Sequence, residues 1–323
     1  MVTFRKLYRV VRLDGMFSMN DKTKGAFLTI TGGACWGISG AIGQYLFTYE
    51  GMDAHWLVPV RLGLAGIVLL VYSFLRHGKE ALRPWKTKQD CIDLLIYGIA
   101  GVSMCQYFYF RTIQLSSAAV GTILQDLSPV LIMAASCALE HRYPEKREVL
   151  AVVLALSGVF LLSTHGNPGE LAIAPAALLT GILSAVCVTI YNVYPGRLLR
   201  TYPVHLLQGW AFLSESILFT FLFRAWTYPT RITPAGALGI AFVVLIGNVL
   251  AFLFYMQGVK LIGPTRSILY GFSEPLTAAV LTVLVFHQPV TLPDIAGFLL
   301  IFGMIVLISK EPEKKADGSA LME

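Results

Sequence analysis

The stretch FSEPLTAAVLTVLVFHQPVTLPDIAGFLLIFGMIVLIS, residues 272–309, decides the fold. It holds two apolar runs joined by a short connector, and the first run opens on the dipeptide Glu274-Pro275. Each run is too long for a strand and has the length of a helix that crosses a bilayer, about 20 residues. Moved back by 146 residues, the stretch falls on an earlier part of the same chain. Pro275 meets Pro129, His287 meets His141, Leu300 meets Leu154 and Ser309 meets Ser163. The register extends toward the N-terminus, where Tyr255 meets Tyr109 and Leu261 meets Leu115, and 109–163 lies on 255–309 without a gap. Self-similarity at one fixed offset is the mark of an internal repeat.

Working outward, ten apolar stretches can be marked at 25–47, 55–75, 91–112, 116–139, 147–164, 172–194, 204–223, 235–257, 264–286 and 293–309. The third and fourth run nearly together, and Arg111, Gln114, Ser116 and Ser117 mark the break between them. The chain of 323 residues is 56% hydrophobic and only 14% charged, with a mean hydropathy of +0.67. A soluble domain carries about 25% charged residues. An ordinary soluble enzyme, a disordered chain and a nucleic-acid-binding protein are therefore excluded, although the isoelectric point is near 9.0.

Lysine and arginine collect in cytoplasmic loops. With ten spans and a cytoplasmic N-terminus, 21 of the 25 basic residues fall on the cytoplasmic side. Arg111, Arg224 and Arg231 fall outside, and Arg61 lies within a span. The fold class expected is thus all-α, a polytopic membrane protein with ten transmembrane helices in two five-helix repeats. Five is odd, so the second repeat enters the bilayer from the opposite side and the repeats are inverted. The organisation is a basic cytoplasmic segment at 1–20, a first repeat at 21–165, a second at 166–310 and a cytoplasmic tail at 311–323. Arg5, Lys6, Arg9 and Arg12 in the first segment read as a membrane-surface helix, or, in the plainer reading, as an over-extended start ahead of Met19.

Ionisable groups at membrane depth are costly and face a cavity or a partner. Arg61, Asp126, Glu215 and Glu274 are placed there. Arg61 lies about 9 Å below the outer end of its helix at ~1.5 Å per residue. That depth permits either snorkelling to headgroups or an anion-binding role facing the centre. Pro275 and its mate Pro129 are read as kinks that free backbone carbonyls beside Glu274 and Ser128. Gly121, Gln125 and Ser128 share one helical face, and Ser267, Gly271 and Glu274 share another. Such small and polar faces make cavity walls, or tight helix contacts. Asp126 is one residue off its face, and a pairing with Arg111 or with water is expected for it. Gln106 with Tyr109, and Asn248 with Tyr255, have helical spacing. They offer a flat aromatic wall with hydrogen bonds, or else belong to the interfacial belt. Trp36 is mid-span, among Gly33, Gly37, Gly40 and Gly43. Tyr270 completes the aromatic set. Glu215 is a proton site or an interhelical partner.

Other chemistries leave weaker traces. Gly37-Ile38-Ser39-Gly40 has the form of an intramembrane serine protease motif, but the six histidines all lie at span ends or in loops, away from a nucleophile that needs one. Cys35, Cys91, Cys105, Cys137 and Cys187 have no redox or zinc spacing. They read as buried apolar residues, with no disulfide, no metal and no cofactor expected.

The chain resembles the drug/metabolite transporter superfamily, in its EamA-like branch. Gly32-Gly33-Ala34-Cys35-Trp36-Gly37 resembles the opening helix of that family. Arg61-Leu62 resembles the arginine of the second helix, Glu140 the glutamate ending the fourth, and Glu274-Pro275 the acidic-proline motif of the ninth. Phe286-His287 departs from the pattern, where a second helix-ending glutamate is usual. The resemblance covers about residues 20–310 and implies a secondary transporter of the bacterial inner membrane with a central cavity between the halves.

The expected function is an alternating-access permease, an exporter of small polar or zwitterionic metabolites such as amino acids. Arg61 would answer a carboxylate, and Glu274 or Glu215 an amine or a proton. The partners expected are a small-molecule substrate, the lipid bilayer and protons as coupling ion, with no nucleic acid, in a monomer or homodimer. Both termini are expected in the cytoplasm. The alternatives are a multidrug or lipid-like solute carrier and, from another class, an intramembrane enzyme.

Overall fold

The computed structural model describes residues 20–309, except 140, 165–166, 168–172, 195, 229–230, 263–266, 268–269, 272 and 288–289. The expectations for the N-terminal segment, the tail, Glu140 and the start of the ninth stretch fall outside the described residues. Every regular element among the described residues is helical. The outside of the molecule is apolar, with Leu75, Leu156, Leu238 and Leu284 standing open. Its interior holds Gln44, Arg61, Gln208, Glu215 and Asn248. That distribution, greasy outside and polar within, belongs to a chain solvated by lipid. The protein is a polytopic membrane protein.

Helix α1 spans Asp21–Thr48 and α2 spans Ala54–His77. A single long helix, α3, covers Lys88–Leu115, with its middle third, Ile96–Ser103, wound as a π-helix. Next come α4 (Ala118–Gln125), α5 (Ser128–Leu139) and α6 (Lys146–Thr164). They are followed by α7 (Pro175–Val193), the short α8 (Gly196–Thr201) and α9 (Val204–Leu222). Helix α10 covers 234–262 and is again π-helical in its middle, at Val243–Leu250. Helices α11 (Ser273–Phe286) and α12 (Leu292–Ser309) complete the set. Among the described residues, four segments are long and apolar enough to cross a membrane: Asp21–Thr48, Ala54–Trp85, Lys88–Leu115 and Pro234–Gly258.

One sequence expectation is corrected here. The stretch 116–139 is not one continuous helix but two, broken at Asp126-Leu127. Proline disfavours helical geometry in the residue before it and cannot donate to the preceding turn, so Pro129 interrupts the helix rather than bending it. The break between the third and fourth stretches falls within the polar patch, Arg111 to Ser117, expected to mark it. The helix runs on to Leu115 and breaks at Ser116, where Ser117 restarts the chain by accepting from the Val120 amide at 3.2 Å.

Local features recur at the offset found in the sequence. Thr87 and Thr233 cap the starts of α3 and α10 by accepting from the amides of Asp90 and Gly236. His141 and His287 both take a left-handed φ of 51° after α5 and α11. Packing recurs as well. The pairing of α1 with α10 and α11 has its counterpart in that of α7 with α3 and with α4–α5, while α2 pairs with α9 and α6 with α12. The α1–α11 contact is close because α1 offers glycine. A Cβ at Gly37 would sit 2.5 Å from the carbonyl oxygen of Glu274, and one at Gly33 would sit 2.9 Å from that of Gly271.

Each end of the molecule carries a polar clasp. At one end, Arg197 of α8 grips Asp93 and Asp90 of α3, both at 2.6 Å, and Tyr202 donates to Asp90 at 2.8 Å. The two hydrogen-bonded carboxylates raise the pKa of Arg197. At the other end, Asp53 caps α2 by accepting from the His55 amide at 2.8 Å. Gln114 donates to Asp53 at 2.9 Å, and Tyr107 meets the far nitrogen of His55 at 2.9 Å. Partial burial opposes the charge on Asp53, but the hydrogen bonds from Gln114 and His55 prevail and hold its pKa below the ordinary carboxylate value.

A carboxylate with a depressed folded pKa adds stability above its unfolded value of about 3.9, and that stability is lost as pH falls through the folded value. Asp53→Asn is therefore expected to lower the melting temperature at neutral pH and to flatten its decline below pH ~4. Thermal unfolding in detergent across that range checks this, and an acid slope equal to the wild type would contradict it.

Candidate functional site

The site grows from one residue. Arg61, on α2, is 1% exposed. A buried guanidinium costs several kcal/mol unless its donors and its charge are met. Here NH2 donates to Gln106 Oε1 of α3 at 2.7 Å, and NH1 donates to Asn248 Oδ1 of α10 at 2.9 Å. The face of the guanidinium lies 3.6 Å from the centre of the Phe110 ring, a stacking that suits a planar cation. Its charge interacts with Glu215 of α9, a residue with no exposed surface. Ser103, at the end of the first π-helical segment, stands beside that carboxylate. One arginine thus ties together four helices.

The two π-helical segments explain how its partners reach it. An extra residue in the turn re-aims the side chains that follow. Ser103 ends one such segment, Gln106 comes just after it, and Asn248 lies inside the other.

Arg61 forms part of the wall of a cavity of about 210 Å³. Nine of the eleven expected substrate-binding residues line it: Trp36, Arg61, Gln106, Tyr109, Gln125, Ser128, Asn248, Tyr255 and Glu274. Pro129 lines it too, at the α4–α5 break. The Tyr109 hydroxyl donates to Glu274 Oε1 at 3.4 Å, so α3 meets α11 across the cavity. Trp36 of α1 and Tyr255 of α10 lie with ring centres 4.9 Å apart. The Ser184 hydroxyl of α7 donates to Gln125 at 3.0 Å.

Two expectations are placed elsewhere. Tyr270 is 40% exposed and is not among the lining residues, so it does not contribute an aromatic wall. Glu215 stands behind Arg61 rather than on the cavity surface. Pro275, expected as a kink, is the third residue of α11 and is buried. Asp126 also departs from its expected pairing. Arg111 donates to Gln114 at 2.7 Å and lies 3.9 Å from Asp53, whereas Asp126 lines the cavity with its Oδ2 buried and without a hydrogen bond. The chain break at Asp126-Leu127 is the reason, because it releases Asp126 from the face that helical spacing assigns to it.

Sequence reasoning passed over Tyr97 and Gln208, which line the cavity and join α3 to α9 through a 2.9 Å hydrogen bond. The signal was present, since Gln208 is a lone amide in an apolar helix. Ser39 also lines the cavity, and no histidine stands beside it among the described lining residues.

The comparisons with known proteins bear on the family and the fold. The sequence profile of the EamA-like transporter family matches residues 23–164 and again 175–310. The chain is 35% identical over 301 residues to the uncharacterized inner membrane transporter YicL of Salmonella typhimurium, covering 92% of this chain and 99% of that one. It is 23% identical over 320 residues to UDP-galactose/UDP-glucose transporter 4 of Arabidopsis thaliana, covering 93% and 87%. A crystal structure with 17% identity superposes with a TM-score of 0.60 over 88% of this chain and 96% of the other, a likeness of fold.

If Arg61 and Glu215 neutralise one another, removing either alone is worse than removing both. Arg61→Met is expected to cost about 3–5 kcal/mol by stranding a buried carboxylate. Arg61→Met with Glu215→Leu should recover most of that loss. Chemical or thermal unfolding of the double-mutant cycle reads the coupling, and additive effects would contradict the pairing.

Proposed function

Because the chain belongs to the EamA-like transporter family, we propose that it is a secondary transporter exporting small polar or zwitterionic metabolites, amino acids among them. It acts in the bacterial inner membrane by alternating access. The observation that carries this reading is the central cavity itself, walled by aromatic rings and by ionisable groups at membrane depth. Such groups are expensive in a bilayer and mark solute or proton pathways. At about 210 Å³ the cavity is smaller than the ~300–1,000 Å³ of ordinary ligand clefts, which favours a small metabolite.

Ten spans in two inverted halves, near 21–165 and 166–310, supply the movement. The paired caps, the paired histidines in left-handed geometry and the reciprocal helix contacts support that repeat. Two halves related in this way can rock about a fixed site and expose it to either face. The basic-residue count puts both termini and the Arg197 clasp on the cytoplasmic side, and Asp53 and His55 on the outer side. Contacts that tie elements of one half to elements of the other at each end then act as gates that release in turn. Asp93 holds α3 to α8 at the inner end, and Glu50 accepts from Thr233 at 2.6 Å at the outer end.

Glu274 sits in the first turn of α11, beside Pro275 and in reach of the Tyr109 hydroxyl. Protonation removes its charge, loosens that contact and lets solute and proton compete for one carboxylate. A carboxylate shared in this way couples solute export to proton entry.

Purified protein in proteoliposomes is expected to catalyse counterflow of one or more amino acids. Glu274→Gln should lower the initial rate about tenfold or more, equivalent to ~1.4 kcal/mol, and abolish its response to a pH gradient. Unchanged flux in the folded variant across an amino-acid panel would overturn the role of Glu274.

A further inference from the structure

We infer that the cavity selects its solute by a positively charged amine, and that a carboxylate on the solute is dispensable. This rests on reading the cavity as the solute site. The balance of charge around the cavity points to it. Arg61 is the one cation among the described lining residues, and the protein already engages it. Gln106 and Asn248 each accept from one of its terminal nitrogens, Phe110 covers its face and Glu215 lies within electrostatic reach, while Nε is left without a partner. A solute carboxylate arriving there would have to displace these partners and confront the stranded Glu215.

The acids on the opposite wall have no such compensation. Asp126 and Glu274 both line the cavity and lie close enough to interact electrostatically. No described cation of the cavity wall pairs with either of them. Two carboxylates sharing a low-dielectric space repel, and a cation between them relieves the repulsion. Asp126 Oδ2 is buried and accepts no hydrogen bond, which leaves an acceptor free for an ammonium. The rings complete the subsite. Tyr255 is within electrostatic reach of both carboxylates and packs against Trp36 with the ring planes tilted by 46°. Aromatic faces beside acids are the recurring means of holding organic ammonium groups.

A second free group indicates what else the solute carries. Asn248 is 4% exposed and lines the cavity. Its Oδ1 serves Arg61, while its Nδ2 is buried without a partner. A buried donor left unpaired costs about 1–3 kcal/mol, and a hydroxyl or carbonyl oxygen on the solute would recover it. The ligand class is therefore a small organic ammonium bearing a neutral hydrogen-bond acceptor. A zwitterion is accepted for its amine.

The test uses three probes of one shape: phenylalaninol, which has an amine and a hydroxyl, the zwitterion phenylalanine, and 3-phenylpropionate, which has the carboxylate without the amine. Binding is read by the thermal shift of full-length protein in detergent, and transport by counterflow in proteoliposomes. The proposal expects phenylalaninol to bind at least as tightly as phenylalanine, and 3-phenylpropionate to give no shift. Asp126→Asn and Glu274→Gln should each weaken phenylalaninol by about tenfold or more. If a variant does not fold, the wild-type panel decides alone. Binding or counterflow of 3-phenylpropionate in preference to phenylalaninol would overturn the proposal and leave the transporter reading intact. Binding of phenylalaninol without counterflow of any probe would uphold the amine subsite and count against transport. Failure of all three probes to bind would overturn the proposal.

Discussion

Arg61 is the constraint on which the rest of the structure depends. A guanidinium at membrane depth can be tolerated only if protein replaces water on every side of it. Four helices are arranged to do this. Helix α2 presents the residue, α3 and α10 supply amide oxygens, and α9 supplies the opposite charge. Both π-helical segments lie beside it. Distorted helix is tolerated in a membrane where it is buried in protein or lines a cavity, and these segments do so through Tyr97, Val102, Gly247 and Asn248.

Satisfying the arginine internally changes the chemistry of the whole cavity. An arginine read from sequence alone is a ready receptor for a carboxylate. With Arg61 held by Gln106, Asn248 and Phe110 and with Glu215 in electrostatic reach, Asp126 and Glu274 set the character of the remaining wall. The same arrangement suits proton coupling, since a carboxylate in a poorly solvated space can shed its charge by taking up a proton. Solute and proton then draw on one group, which is the simplest physical basis for exchange.

Much of this was legible in the sequence. The spaced prolines and histidines exposed the repeat because each marks a helix break or helix end, and such positions leave a residue-type signature. The cavity residues were legible because polar side chains are rare in apolar helices, so nearly every one has a reason to be there. What escaped was local geometry. Helical spacing assumes an unbroken helix, and it failed at Asp126, where Pro129 interrupts the chain. It failed at Tyr270 as well, where the expectation rested on residue type and not on a shared face with Gln106, Tyr109, Asn248 or Tyr255. The π-helical segments were invisible because their residues, Ile96–Ser103 and Val243–Leu250, carry an ordinary apolar pattern. Partner choice was the last thing hidden. Nothing in the spacing of Arg61 and Glu215, 154 positions apart, announces that one neutralises the other.

The central claim is that a single cavity opens to each side of the membrane in turn. Met256 lines that cavity without serving Arg61 or the acids, so it can carry a label harmlessly. The most direct measurement replaces the five native cysteines, introduces Met256→Cys, and treats membranes with an impermeant maleimide from one face or the other. Alternating access requires labelling from both faces, with solute protecting against each. Labelling from one face alone, under every solute and pH gradient, would contradict it.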